Sequence, residues 1–268
     1  MMQVQFFCPR WGSEALSISS FCRKAKEEGY DGIEYGVPIT ATKETLDEVW
    51  NEAAKADLKI IIQHYDTVDA EFSRHYDRYC SWIEKIGPYP AVKINSQTGK
   101  DYFSFEQNSM LISAAASCNK QVLHETHRNK FTFAAHTIHA YLRQLPGLRI
   151  TLDASHWVCV AESYLEDQEE AMELAIVRTD HVHARVGYPE GPQVPDPRAK
   201  EWEYALNRHL FWWDKVAERK QQANEILTIA PEFGPFPYMV HSPVTGHPVA
   251  DQWTLNAYMM NLLKERYR

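Results

Sequence analysis

The chain has 268 residues, of which 44% are hydrophobic and 24% are charged, and these proportions exclude a disordered or collagen-like protein. Its 28 basic and 36 acidic residues give a formal net charge of −8, which disfavours a nucleic acid partner because the overall field repels phosphates. No apolar run approaches the ~18–20 residues that a membrane-spanning helix needs, and the first residues lack a signal-peptide pattern. We therefore expect a cytoplasmic protein with no membrane partner.

The chain alternates eight short β-branched or aromatic runs with amphipathic helical stretches, which is the order of repeated βα units. After the first run, Ile18, Phe21 and Ala25 recur at helical spacing, and Gly29 stands where that helix is expected to end. Similar helical patterns follow the second and third runs, and another closes the chain. The predicted strands cover residues 3–7, 32–35, 59–63, 91–95, 121–125, 149–153, 181–184 and 226–232.

Eight units in 268 residues average about 33 residues each, which matches a (β/α)8 TIM barrel of typically ~250 residues. An open doubly wound sheet would normally carry a glycine-rich phosphate turn, and neither G-x-G-x-x-G nor G-x-x-x-x-G-K-[ST] occurs. We predict an α/β fold with one domain, a TIM barrel over residues 1–268, and a site at the C-terminal ends of its strands. Two long proline-rich loops, 187–197 and 234–248, follow the last two strands and are candidates for a lid.

Polar residues stand near the ends of the last four predicted strands: Glu125, Asp153, His183 and Glu232. Alternation along each strand allows all four side chains to point into the mouth of the barrel. Three carboxylates that meet there would repel one another strongly unless a cation held them. One imidazole with three carboxylates suits a divalent ion such as Mn²⁺, Zn²⁺, Co²⁺ or Mg²⁺, with open positions for substrate oxygens.

With these four residues at consecutive strand ends, the chain resembles the xylose isomerase-like superfamily of TIM-barrel sugar isomerases and epimerases, which includes hydroxypyruvate isomerases. The resemblance implies that Glu125, Asp153, His183 and Glu232 bind one divalent metal ion, and that His156 contacts the substrate. It also implies an enzyme of carbohydrate metabolism, a metal-dependent isomerase or epimerase of a small sugar or sugar-derived acid. Glu125 and Glu232 would then be its catalytic pair, transferring a proton through an enediolate.

Two positions depart from the pattern of ketose 3-epimerases within this superfamily. Phe131 stands six residues after Glu125, where those enzymes have a second glutamate, and Pro189 stands six residues after His183 in place of an arginine. Arg185 or Arg128 could supply the missing cation. These departures disfavour that subtype and leave the substrate open, including whether it is phosphorylated.

Further residues near strand ends are candidates for contact with a polyhydroxylated ligand, and a structural role is open for each of them. Two tryptophans among them have the flat apolar face on which a sugar ring stacks. The predicted substrate-binding residues, besides His156, are Arg185, His64, Glu34, Asn95, Trp11 and Trp157.

Three other functions remain open for a barrel of this kind. A metal-dependent dehydratase of a cyclitol or keto acid would use the same proton abstraction, and a non-catalytic relative would only bind a sugar. An abasic-site endonuclease would match Asp153, His156 and His64 in part, but Asn95 stands where a further histidine ligand is needed. The sequence leaves the metal, the precise substrate and any homo-oligomer undetermined.

Overall fold

The computed structural model describes residues 3–267 and contains a closed barrel of eight parallel strands in chain order. Pairing of β8 with β1 closes the ring and places Leu227 opposite Val4. Each predicted strand overlaps an observed one, so the predicted TIM barrel is confirmed. The strands β1 to β8 are Val4–Pro9, Gly32–Gly36, Lys59–His64, Ile94–Ser96, Val122–Glu125, Ile150–Leu152, Thr179–His183 and Leu227–Ala230.

Helices surround the barrel, and the first shows how the sequence sets their limits. It buries Ile18, Phe21 and Ala25 and begins after Ser17, whose side chain accepts a hydrogen bond from the Ser20 amide. It ends at Gly29, whose φ of 94° lies in the left-handed region that glycine adopts without strain. Helices α1 to α9 are Ile18–Glu28, Lys43–Lys55, Phe72–Ile86, Phe105–Ala116, Ala135–Gln144, Ala154–Ala161, Glu169–Arg178, Glu203–Gln222 and Gln252–Arg266.

The main hydrophobic core lies between the strands and the helices, where large side chains such as Trp82 and Trp213 are fully buried. A separate small cluster is formed by Phe7, Ile61 and Ala230. Many of the other buried side chains on the strands are polar, which is unusual for a protein interior and requires partners for each polar group. Some of these polar side chains belong to the site described below, and others, such as Asp180, form a separate network.

A charged network ties together the opposite, N-terminal ends of the strands. Asp180, near the start of β7, accepts hydrogen bonds from Arg149 at 2.6 and 2.7 Å and forms an ion pair with Lys220. The Lys93 ammonium donates to the Asp180 carbonyl at 2.8 Å. Burial raises the pKa of Asp180, but the contacts with Arg149 and Lys220 outweigh burial and lower it to about 2. This network is remote in the fold from the strand ends that carry the predicted site.

Within residues 3–267, we find no helix with the length and apolar character needed to cross a bilayer.

Candidate metal centre

The C-terminal ends of β5 to β8 bring Glu125, Asp153, His183 and Glu232 together. One ligand atom from each side chain lies within 4.8 Å of those of the other three, and all four side chains are buried. His183 Nδ1 is 2.8 Å from Glu232 Oε2 and 3.6 Å from Glu125 Oε1. The four residues that the sequence singled out therefore form one cluster.

Local hydrogen bonds fix the orientation of Asp153. It is the N-cap of α6, and its Oδ1 atom accepts hydrogen bonds from the Ser155 amide at 3.0 Å and from the Ser155 hydroxyl. The Thr126 hydroxyl, from the end of β5, accepts from the Asp153 amide at 2.7 Å. These contacts engage Asp153 Oδ1 and turn Oδ2 toward the cluster, where Oδ2 forms an ion pair with Arg185.

Glu34, from β2, orients His183. Its two carboxylate oxygens lie 3.1 and 3.2 Å from His183 Nε2, so that nitrogen carries the proton and Nδ1 has a free lone pair facing Glu125 and Glu232. Glu34 also accepts from His181 Nε2 at 3.2 Å and from the Asn95 amide at 3.0 Å. Burial alone would raise the pKa of Glu34, but His183 and His181 hold it below its ordinary value. A buried carboxylate therefore fixes the tautomer of the central histidine.

The cluster fits a divalent cation. Glu125 Oε1 and His183 Nδ1 are buried without a hydrogen-bond partner, which is costly unless a ligand occupies the space between them. Burial lowers the pKa of His183, yet Glu232, Glu34 and Glu125 outweigh it and hold that pKa well above its ordinary value. The carboxylates thus favour a positive charge at this position, and a divalent cation would supply it. Three carboxylates and one imidazole suit Mn²⁺, Zn²⁺, Co²⁺ or Mg²⁺.

Two other groups of three residues within 3–267 are close enough to hold a metal, but their nitrogen atoms are engaged. In the first, the histidine Nε2 atoms lie against Glu34 and donate to it. In the second, both ring nitrogens of His156 lie against guanidinium N–H groups, so neither nitrogen is open to a cation. The two groups are Glu34 with His181 and His183, and Glu125 with His127 and His156.

A cavity of about 590 Å³ adjoins the cluster, within the ~300–1,000 Å³ range of small-molecule sites. Glu125, Glu232 and Arg185 lie on its wall. Gln63 also lines it and donates to Glu232 Oε1 at 3.3 Å. The other polar and aromatic lining residues are Arg10, Trp11, Glu14, Tyr35, Tyr65, Gln97, His127 and Tyr238.

The loop 234–248 forms part of the cavity wall through Tyr238, whose ring lies edge-on to Trp11 at 5.2 Å. Loop 187–197 supports it, because Gln193 accepts a hydrogen bond from the Gly234 amide at 2.7 Å. Gly234 itself passes so close to Trp11 that an added Cβ would lie 2.2 Å from the indole ring. Glycine is therefore required at 234 for Trp11 to keep its place.

The predicted substrate-binding residues fall into three groups: two line the cavity, three contact the metal cluster or Arg185, and two lie away from the cavity. Arg185 and Trp11 lie on the cavity wall. Glu34, Asn95 and His156 are buried and contact residues of the metal cluster or Arg185 instead.

His64 and Trp157 lie away from the cavity, which corrects the expectation for both. His64 contacts Tyr79 and Trp82 of α3, because alternation along β3 turns His64 outward and its neighbour Gln63 inward. Trp157 is fully buried, and its indole N–H donates to the Thr132 carbonyl at 2.7 Å.

Sequence reasoning missed several residues of the cavity wall. Gln63 could have been found by applying the alternation rule to β3 as it was applied to the last four strands. Tyr238 and His127 lie in irregular loops, and no periodicity in the sequence indicates where a loop side chain points.

No protein-family model matches the sequence, and no curated protein is similar to it. Solved structures do match over almost the whole chain. The probable 3-DHS dehydratase AsbF from Bacillus anthracis is 18% identical with a TM-score of 0.58, and 99% of this chain covers 100% of that one. A D-psicose 3-epimerase from Clostridium cellulolyticum H10 is 12% identical with a TM-score of 0.57, and the match covers 100% of this chain and 99% of that one. An AP endonuclease of family 2 from Brucella melitensis is 11% identical with a TM-score of 0.57, and the match covers 96% of this chain and 98% of that one.

The chain shares the TIM-barrel fold of these xylose isomerase-like enzymes. The resemblance stated from the sequence is confirmed at this level, and the structural neighbours are enzymes. At these identities the likeness shows the fold alone, because one barrel carries a dehydratase, an epimerase and an endonuclease among these neighbours.

Proposed function

We propose that this chain is a divalent-metal-dependent isomerase or epimerase that acts on a small sugar or a sugar-derived acid. One observation carries the proposal: Glu125 and Glu232 both reach the cavity from a buried cluster in which His183 lies between them. Two carboxylates that face one substrate can remove a proton from one carbon and return a proton from another direction. The similarity to a structure described as a D-psicose 3-epimerase supports this class.

One oxygen of each glutamate accepts a hydrogen bond from a side-chain amide, which holds the carboxylate in place for proton transfer. Glu125 Oε2 accepts a hydrogen bond from the Asn95 amide at 2.9 Å, and Oε1 has no hydrogen-bond partner. Burial raises the pKa of Glu125, but His183 outweighs burial and lowers it to about 2, so the residue is ionised at neutral pH. The Gln63 amide holds Glu232 Oε1 at the cavity.

A bound divalent ion would polarise the substrate carbonyl and its neighbouring hydroxyl, which makes the adjacent C–H more acidic. Among the chain's own groups, His183 is kept in place by Glu34, and Asp153 by the start of α6. Aromatic side chains of the cavity wall exclude water and offer flat faces to a sugar ring. The proposal includes no nucleic acid substrate, in keeping with the net charge of −8.

A metal-dependent dehydratase is the second candidate, because the same pair of carboxylates could remove a proton and then protonate a leaving hydroxyl. The similarity to a structure described as a probable 3-DHS dehydratase supports it. Incubation of the Mn²⁺-loaded protein with a panel of sugars and sugar acids in D2O distinguishes the candidates. Deuterium incorporation with retained composition indicates an isomerase or epimerase, loss of water indicates a dehydratase, and binding without exchange indicates a sugar-binding protein.

The variants Glu125→Gln and Glu232→Gln test the roles of the two carboxylates. We expect each to lower the exchange rate by ~10²–10⁴-fold, the usual contribution of a general acid or base. Glu170→Gln is a matched control, since Glu170 is exposed, pairs with Arg143 and does not line the cavity. Turnover retained in both variants, or no bound divalent ion after loading with each candidate metal, would overturn the proposal.

A further inference from the structure

Two arginines contact one buried histidine beside the cavity. Arg128 Nε lies 3.1 Å from His156 Nδ1, and Arg185 Nη2 lies 2.8 Å from His156 Nε2. A neutral imidazole has one nitrogen that accepts a hydrogen bond, and a protonated imidazole has none. At least one guanidinium N–H therefore has no acceptor on His156, whichever tautomer is present.

The two arginines differ in their other contacts. Arg185 pairs with Asp153 and lies 3.8 Å from Glu232 Oε2, so its charge is partly balanced. Arg128 is half-buried, and within residues 3–267 its guanidinium contacts His156 and Tyr238, not a carboxylate. Its Nη2 atom donates to the Tyr238 hydroxyl at 3.2 Å. A half-buried cation without a counter-charge is costly, which points to an anion that completes the site.

Tyr238 connects both arginines to the cavity. The guanidinium carbons of Arg185 and Arg128 lie 4.7 and 5.8 Å from the centre of the Tyr238 ring. Tyr238 and Arg185 line the cavity, and so does His127, whose ring lies 4.1 Å from that of His156. Arg185 thus lies on the cavity that Glu125 and Glu232 reach, and Arg128 is linked to the wall of that cavity through Tyr238.

We propose that Arg185 and Arg128, held together by Tyr238, bind an anionic group of the substrate, either a carboxylate or a phosphate. Its oxygens would supply the acceptors that His156 cannot, and guanidinium groups are well suited to such oxygens. This inference rests on the proposed function and narrows its substrate class: a sugar acid or a sugar phosphate is favoured over a neutral sugar.

Three probes test the site by titration calorimetry at constant ionic strength, in metal-free protein and again with Mn²⁺. They are D-gluconate, D-glucitol, which has a hydroxymethyl group in place of the carboxylate, and inorganic phosphate. We expect D-gluconate or phosphate to bind at least tenfold more tightly than D-glucitol in the metal-free protein. Preference for D-gluconate assigns the group to a carboxylate, and preference for phosphate assigns it to a phosphate ester. Equal affinity for all three probes overturns the proposal.

Variants of Arg128 locate the effect, because this residue does not touch the metal cluster. Arg128→Gln should weaken anion binding at least tenfold and leave D-glucitol binding unchanged, whereas Arg128→Lys, which keeps the charge, should retain part of the preference. Tyr238→Phe removes only the hydroxyl that holds Arg128 and gives a second measurement if Arg128→Gln does not fold. Arg198→Gln is the control, since Arg198 pairs with Asp196 away from the cavity. Full anion preference in both Arg128→Gln and Tyr238→Phe overturns the proposal.

The calorimetric test does not depend on turnover, so its failure and that of the proposed function are distinguishable. Anion preference that depends on Arg128, in a protein that shows no deuterium exchange, supports this site and counts against the isomerase. Exchange on neutral sugars without any anion preference supports the isomerase and overturns this site.

Discussion

Replacing Glu34 by glutamine tests whether this buried carboxylate prepares His183 to bind a metal. Glu34 accepts hydrogen bonds from three N–H donors, on His181, His183 and Asn95, at 3.0 to 3.2 Å. Glutamine has one acceptor oxygen and one NH2 group, so at least one donor would face another donor. The charge that favours the Nε2–H tautomer of His183 would also be lost. Glu34 was predicted from the sequence to bind substrate, and its contacts instead favour a positioning role.

The expected magnitude follows from those contacts. Loss of a partner behind a metal-binding histidine typically weakens metal affinity ~10–100-fold. That range corresponds to ~1.4–2.7 kcal/mol, about the strength of one hydrogen bond to a charged group. We therefore expect Glu34→Gln to raise the Kd for Mn²⁺ by ~10–100-fold at pH 7.

Titration calorimetry of metal-free protein with Mn²⁺ measures this effect, and melting curves verify that the variant is folded. Glu14→Gln, on the exposed rim of the same cavity, makes the same chemical change without contact with His183 and should leave the Kd unchanged. A folded Glu34→Gln protein that binds Mn²⁺ within twofold of the wild-type affinity would refute the reasoning.

Three further predictions concern pH, stability and the cavity wall. Mn²⁺ affinity should rise as pH increases from 5 to 8, because burial raises the pKa of Asp153 to about 6, the pKa of His183 is also raised, and the metal ion must displace both protons. A Mn²⁺ affinity that does not change between pH 5 and 8 in calorimetry would contradict this. Asp180→Asn should lower the free energy of unfolding by ~3–5 kcal/mol at pH 7, since it leaves Arg149 without a carboxylate partner and the buried Lys220 with the exposed Glu225 alone. Because the pKa of Asp180 is lowered to about 2, urea unfolding should show this difference above pH ~4 and its loss as pH falls toward 2. Gly234→Ala should displace Trp11 and raise KM more than it lowers kcat, and unchanged tryptophan fluorescence and KM would count against the close contact.

Strand and helix positions could be predicted because they depend on local periodicity. Strand β5, predicted at 121–125, is observed at Val122–Glu125, and the helix limits around Ile18 and Gly29 follow from burial and capping. The meeting of Glu125 with His183 was also predictable, because parallel strands end at one face of a barrel and alternate side chains point inward. Both inferences need only the identity and spacing of residues within single strands.

Residue identity and spacing were therefore enough to predict the barrel, the strand ends that carry the site and the four residues that cluster there. Contacts between distant segments settle which candidates face the cavity: they turn His64 toward the helices, place Glu34 against His183, and bring Tyr238 from a distant loop to Arg128. A one-residue change in strand phase reverses the direction of a side chain, and the path of an irregular loop depends on contacts with segments far away in the chain. Periodicity fixes which face a residue occupies, whereas packing between elements fixes which atoms meet.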